Sequence, residues 1–159
     1  MKSNYAALAL FALSLGIASN VFAQQKYEHR SCYTGPHQVI AHSKDAMSGI
    51  YNLTGLVVAE QGDPLYMASG VCMGNWMLVN GQYEDQGTCE YTLPSGDKIF
   101  GIYSRKNQEN GVWKVVSATG KMKNIAHAGN FMPFTDFPQP TGQLAMCGRE
   151  WGTWKLGQN

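Results

Sequence analysis

The chain has 159 residues, with 12 basic and 11 acidic side chains and a formal net charge of +1. No run of basic residues occurs in it, so the clustered basic footprint that is typical of nucleic-acid binding is missing and we expect no nucleic-acid partner. The length is that of one domain with a hydrophobic core of its own.

The first 23 residues have the three parts of a secretory signal. A lysine supplies the positive charge, an apolar run covers residues 6–18, and residues 21–23 (VFA) end in a small residue at the cleavage position. The run is shorter than the roughly 20 residues that a bilayer requires. We predict a signal peptide at 1–23 and one domain at 24–159, secreted or periplasmic and not membrane-bound after cleavage. The alternative is an uncleaved N-terminal anchor.

All four cysteines follow this segment. An even number of cysteines in an exported domain predicts two disulfides, because the compartment is oxidising. The cysteines lack the paired spacing of zinc sites, and the four histidines form no metal-spaced cluster, so we expect no metal and no cofactor. We expect these histidines to be exposed or satisfied within the core. The residues are Cys32, Cys72, Cys89 and Cys147, and His29, His37, His42 and His127.

The mature chain is divided into short runs rich in β-branched and aromatic residues, separated by turn signals such as Asn80-Gly81 and Asn110-Gly111. No helix is predicted. Such a pattern is typical of an antiparallel sandwich or barrel. The predicted strands, in chain order, are 36–42, 54–60, 71–79, 88–93, 98–105, 112–118 and 143–156.

The Asn80-Gly81 turn predicts the register of one hairpin. In an antiparallel pair, the positions of facing residues have a constant sum, and a two-residue turn at Asn80-Gly81 fixes that sum at 161. Cys72 and Cys89 give the same sum. Facing Cα atoms lie about 4.5–5.5 Å apart, which is within disulfide range. We therefore predict a Cys72–Cys89 disulfide, which leaves Cys32 to pair with Cys147.

A turn at residues 94–97 would fix the sum for the next strand pair at 191, with Phe100 facing Tyr91 and Ile102 facing Cys89. Because side chains alternate between the faces of a strand, these residues would share the interior face with Trp76. The candidate pocket residues are therefore Trp76, Tyr91, Phe100, Ile102 and Trp113. The alternative is that these side chains simply fill the core.

The sequence assigns no catalytic residue. Glu90 is a candidate, because a carboxylate that faces a barrel interior has a raised pKa and can act as an acid or a base. The same alternation, however, places Glu90 on the outer face.

Four short motifs occur in a characteristic order: residues 87–91 (GTCEY), 96–100 (GDKIF), 118–122 (ATGKM) and 152–156 (GTWKL). Together they resemble the allene-oxide-cyclase-like branch of the calycin-type barrels, and in particular its small exported bacterial members of unassigned function. The resemblance implies an all-β, closed antiparallel barrel of about eight strands with a central cavity. Some relatives are cyclases that hold a reactive substrate in an apolar pocket.

Three functions are compatible with these features. The first is an exported binding module for a small apolar ligand, acting as a monomer or homodimer. The second is a cyclase or isomerase that uses the same cavity. The third is a protein-interaction or inhibitor domain, acting through exposed loops such as 104–111 and 130–142.

Overall fold

The computed structural model describes residues 24–136 and 140–157, which form eight antiparallel strands closed into one barrel. Each strand pairs with the next, and β8 pairs with β1, so the prediction of an all-β closed barrel is confirmed. The predicted signal peptide at 1–23 lies outside the described residues. The strands are β1 Gln25–Ser43, β2 Ala46–Val58, β3 Ser69–Val79, β4 Gln82–Thr92, β5 Lys98–Lys106, β6 Gly111–Ala118, β7 Ile125–Asp136 and β8 Gln143–Leu156.

The β3–β4 hairpin has the predicted register. Asn80 and Gly81 both have positive φ, at 51° and 78°, as a two-residue type I′ turn requires. Cys72 lies opposite Cys89 and is bonded to it. The disulfide points into the barrel, where both cysteines are buried. Cys32 is bonded to Cys147 across the β1–β8 pair. Both predicted disulfides are therefore confirmed.

The β4–β5 register differs by one residue from the prediction. Leu93 donates its N–H to the carbonyl of Asp97, so the loop contains three residues and ends at Gly96, whose φ is +85°. Tyr91 consequently faces Ile99. A shift of one residue moves every side chain to the other face. Phe100 and Ile102 therefore point outward, and their predicted place in the interior is wrong.

The structure also contains a strand that the sequence pattern did not predict. β7 covers Ile125–Asp136, so most of the expected loop at 130–142 is strand up to residue 136. Its sequence is rich in Ala and Gly and includes Pro133, where the pairing with β8 shifts register. These residue types are poor indicators of strands. One 3₁₀ turn, Gly120–Met122, lies between β6 and β7.

The barrel has a plugged end and a turn end. At the plugged end, the β2–β3 loop (59–68) folds inward and buries Leu65 and Ala68 at 1% and 0% exposure. At the turn end, where β3 meets β4, the inward-facing Trp76 and Tyr83 are only half-buried. The interior of the barrel is therefore more accessible to solvent at the turn end than at the plugged end.

The outer surface of β2 and β3 is uncharged. Neither strand contains Asp, Glu, Lys or Arg. Seven large apolar side chains on these strands are exposed, namely Ile50, Leu56, Val58, Val71, Met73, Met77 and Val79. No helix in residues 24–136 and 140–157 is long and apolar enough to cross a membrane.

The two disulfides differ in accessibility, and this predicts the order of their reduction. Cys32 is exposed, whereas Cys72 and Cys89 are each 6% exposed. Under a mild thiol reductant without denaturant, we expect Cys32 and Cys147 to be alkylated first, with Cys72 and Cys89 modified only after the barrel opens. Peptide mapping after timed alkylation measures this order. Earlier modification of Cys72 and Cys89 would contradict the interior position of their bond.

Candidate binding site in the barrel interior

A cavity of about 60 Å³ lies inside the barrel, lined by residues from all eight strands. Its walls are mainly aromatic and aliphatic, and the Cys72–Cys89 disulfide forms part of them. Polar groups occur at two places: Ser31 and Glu150 toward the plugged end, and Tyr51, Asp85 and Tyr103 toward the turn end. A small number of polar groups in an apolar enclosure is typical of ligand sites.

Glu150 is the anionic group at the deep side of the cavity. It lies on β8 opposite His29 of β1 and is 6% exposed. Ser31 donates a hydrogen bond of 2.5 Å to one of its oxygens, and His29 Nε2 lies 3.3 Å from the other. The second ring nitrogen of His29 contacts Asp63 at 2.9 Å. Asp63 comes from the plugging loop 59–68, so this loop is tied to the site by a charged contact.

His29 is positively charged in this cluster. Burial by itself lowers the pKa of His29, but the hydrogen bonds that the ring donates to Asp63 and Glu150 outweigh burial and raise the pKa to about 9. An imidazolium between two carboxylates neutralises only one of them, so the cluster of Asp63, His29 and Glu150 carries one negative charge. Glu150 is the member of the cluster that lines the cavity.

A second polar group surrounds Asp85 on β4, nearer the turn end. The Tyr51 hydroxyl donates to Asp85 Oδ1 at 2.6 Å and accepts a hydrogen bond from Tyr103. Burial raises the pKa of Asp85 above its ordinary value, although the bond from Tyr51 opposes this rise. Gly74 and Gly87 face each other beside these phenols, and a Cβ on either glycine would collide with the Tyr103 hydroxyl.

The tyrosines of the cavity act as neutral hydrogen-bonding groups. Tyr33 and Tyr91 share a hydrogen bond of 2.9 Å in the core. Burial, followed by the charge of Glu150, raises the pKa of both phenols. Burial and Asp85 likewise raise the pKa of Tyr51. These side chains therefore stay protonated at neutral pH and do not serve as bases.

Next to the cavity, three buried aromatic side chains have unsatisfied polar atoms. His127 packs against Tyr27 and Trp113 at centroid distances of 4.8 and 5.6 Å. Within the described residues, the Tyr27 hydroxyl, Trp113 Nε1 and both His127 ring nitrogens lack hydrogen-bond partners. Burial lowers the pKa of His127 to about 4, so the ring is neutral at pH 7.

The structure brings only two of the five predicted pocket residues to the cavity. Tyr91 and Trp113 line it. Trp76 faces inward but lies at the turn end, where its Nε1 donates to His37 at 2.9 Å. Phe100 and Ile102 are on the outer face, as the corrected β4–β5 register requires. Glu90 also points outward and forms a 2.5 Å ion pair with Lys98, so the structure does not support it as an interior acid or base.

The cluster around Glu150 was absent from the predicted site, although one sequence signal indicates it. Positions 32 and 147 have the same sum as positions 29 and 150, so the Cys32–Cys147 pairing places His29 opposite Glu150. Along each strand, the cysteine is an odd number of positions from the charged residue, so the two side chains point to opposite faces. The disulfide therefore lies outside the barrel and the charged pair inside. Asp63 has no such signal, because it lies in a loop. Within the described residues no group of His, Cys, Asp and Glu is arranged to hold a metal ion.

Comparison with known proteins gives distant structural similarity and no sequence match. No family model matches the chain, and no curated protein matches it in sequence. Among solved structures, the pterocarpan synthase dirigent protein GePTS1 is similar with a TM-score of 0.47 and 8% identity, over 86% of this chain and 88% of that chain. The resemblance to allene-oxide-cyclase-like barrels remains a prediction from the four motifs.

The buried neutral ring of His127 predicts a pH-dependent loss of stability. Its pKa is about 4 in the folded protein, against an ordinary value of 6.5 for histidine. As the pH falls below about 6.5, the unfolded chain binds a proton that the folded chain does not, so stability falls until about pH 4. At pH 5 the loss is about 2 kcal/mol.

We expect His127→Phe to remove this loss. Urea unfolding of both proteins at pH 7 and pH 5 measures the difference, and His42→Phe is the control because His42 is exposed. An equal fall in stability for the wild-type and His127→Phe proteins would contradict the assignment.

Proposed function

We propose that this protein is an exported binding module that holds a small molecule in the central cavity of its barrel. The observation that carries the proposal is the cavity inside the barrel, with apolar walls and polar groups at two defined places. Two disulfides are consistent with an oxidising compartment. The predicted signal peptide supports export.

The size of the cavity limits the ligand. The volume is about 60 Å³, and a cavity of about 150 Å³ holds one benzene molecule, which has six non-hydrogen atoms. The cavity therefore accommodates a compound, or part of one, of about two or three non-hydrogen atoms. Sites for drug-sized ligands usually measure about 300–1,000 Å³. The proposed ligand is accordingly much smaller than a lipid or a polycyclic compound.

The route into the cavity is proposed to start at the turn end. The lining residues Tyr51, Tyr103, Phe131 and Met146 are half-buried, whereas the opposite end is covered by the buried side chains of the plugging loop. A ligand that enters here passes Asp85 before it reaches Glu150.

Filling the cavity tests the proposal. Gly148 lines the cavity on β8, and a Cβ at this position would make only ordinary contact, at 3.4 Å from the Met132 carbonyl oxygen. We expect Gly148→Val to fold and to lose at least about tenfold in ligand affinity, because its side chain occupies the ligand volume. Native mass spectrometry of protein purified from its source measures the bound adduct.

Ser104→Val is the matched control, since it adds a similar side chain to the exposed outer face of β5. The adduct is expected to persist in Ser104→Val and to disappear in Gly148→Val. An adduct that survives equally in both variants would place the ligand outside the barrel.

Acid–base catalysis is the second candidate function, and it is favoured by the two carboxylates that line one cavity. Asp85, whose pKa is raised, can donate a proton, and Glu150, which is held by Ser31 and His29, can accept one. Two carboxylates in different environments are the usual means of combining acid and base chemistry in one site. The reaction class would be isomerisation or cyclisation.

Isotope exchange distinguishes catalysis from binding. The compound recovered from the purified protein is incubated with fresh protein in D₂O. Proton abstraction by the wild-type protein is expected to introduce deuterium at carbon, and Glu150→Gln is expected to slow this at least about a hundredfold. Equal exchange by both proteins, or none by the wild type, would leave binding as the function.

A further inference from the structure

The cavity of the barrel has an acidic and aromatic lining. Two of its lining side chains are the carboxylic acids Asp85 and Glu150, and within the described residues none of its lining side chains is Lys, Arg or His. Six aromatic rings complete the walls: Tyr33, Tyr51, Tyr91, Tyr103, Trp113 and Phe131.

The charge at Glu150 is incompletely neutralised by the protein. His29 is shared between Asp63 and Glu150, at 2.9 and 3.3 Å, so two carboxylates compete for one imidazolium. A buried negative charge without a full counter-charge is costly in a medium of low dielectric constant. A positive charge in the cavity would remove this cost, whereas an anion would add to it.

The aromatic walls favour the same sign of charge. The face of an aromatic ring is negative, so a cation within about 6 Å of its centre is attracted, most strongly where water is excluded. Tyr91 and Trp113 are 2% and 4% exposed and meet edge to face, with their centroids 5.4 Å apart. Rings and a carboxylate around one small space are the combination that binds ammonium groups in proteins.

We infer that the cavity binds a small organic cation, an alkylammonium group of about two or three non-hydrogen atoms, with Glu150 as its counter-charge and the aromatic rings as its walls. This inference rests on the proposed binding function and specifies the chemical class of the ligand. It adds a positive charge to the small apolar ligand expected from the sequence. Asp85 supplies the second negative group, on the side from which a ligand would enter.

The carboxylates have distinct roles in this arrangement. Asp85 is bonded to Tyr51 near the half-buried turn end, where it draws cations toward the cavity. Glu150 lies deeper and is fixed by Ser31, so it sets the final position of the ammonium group. The apolar substituents of the cation then contact Leu53 and the rings.

A pair of compounds with the same shape tests the charge of the ligand. Methylammonium and methanol each have two non-hydrogen atoms and differ in charge. Isothermal titration calorimetry at pH 7 and low salt measures both affinities for the wild-type protein. We expect the cation to bind at least about tenfold more tightly than the alcohol.

Two variants link the preference to the cavity. In Glu150→Gln the ratio of the two affinities is expected to fall to near one, because the counter-charge is removed while the size is kept. Glu90→Gln is the matched control, since Glu90 is an exposed carboxylate paired with Lys98, and it is expected to leave the ratio unchanged. If Glu150→Gln does not fold, Asp85→Asn provides a second test and is expected to reduce the ratio about threefold or more.

The outcomes separate this inference from the proposed function. Equal affinities for the cation and the alcohol, unaffected by Glu150→Gln, would overturn the cation assignment and leave the binding function intact. Failure of both compounds to bind would also overturn it, and the binding function would then be decided by the adduct in wild-type and Gly148→Val proteins. If the wild-type protein shows neither the adduct nor cation binding, both the binding function and the cation assignment are rejected.

Discussion

The pairing of β1 with β8 is the constraint on which the rest of the molecule depends. Twelve consecutive residue pairs, from Gln25 with Trp154 to Pro36 with Gln143, close the sheet into a barrel. The same register places the Cys32–Cys147 disulfide on the outside and the His29–Glu150 pair on the inside. A slip of one residue would exchange the two faces. Cys32 would no longer face Cys147, and His29 and Glu150 would point to opposite faces of the sheet.

The interior of the barrel is unusual in combining charge with tight packing. Glu150 and Asp63 share the protonated ring of His29. His127, which packs against the same Tyr27 ring as His29, is neutral. Two histidines in one core are thus held in opposite protonation states by their neighbours. Carboxylates stabilise the first as a cation, and aromatic rings exclude charge from the second. The plugging loop belongs to this system, because its Asp63 is one of the two partners of His29.

The sequence predicted features that have local signals. The Asn80-Gly81 turn gave the register of β3 and β4, and the β8 bounds of 143–156 agree with the structure. The residues at 94–97 were ambiguous, since a loop of three or four residues fits the same Pro, Ser and Gly. That ambiguity reversed the faces of Phe100 and Ile102. β7 lacked a signal because Gly129 must stay small: a Cβ there would collide with the Tyr27 hydroxyl. The contact of Asp63 with His29 depends on loop folding, which no periodicity encodes.

The uncharged outer face of β2 and β3 has a consequence for solubility. Exposed apolar strands promote aggregation mainly where a sheet has a free edge, because unpaired N–H and C=O groups there can pair with a strand of another chain. Ring closure leaves every strand of this sheet with two neighbours. Side chains such as Leu56 and Met73 therefore offer surface to a passing molecule but no backbone groups to extend the sheet. Closure of the barrel therefore protects this protein against fibre growth. β2 and β3 lack the charged residues that give edge strands the same protection.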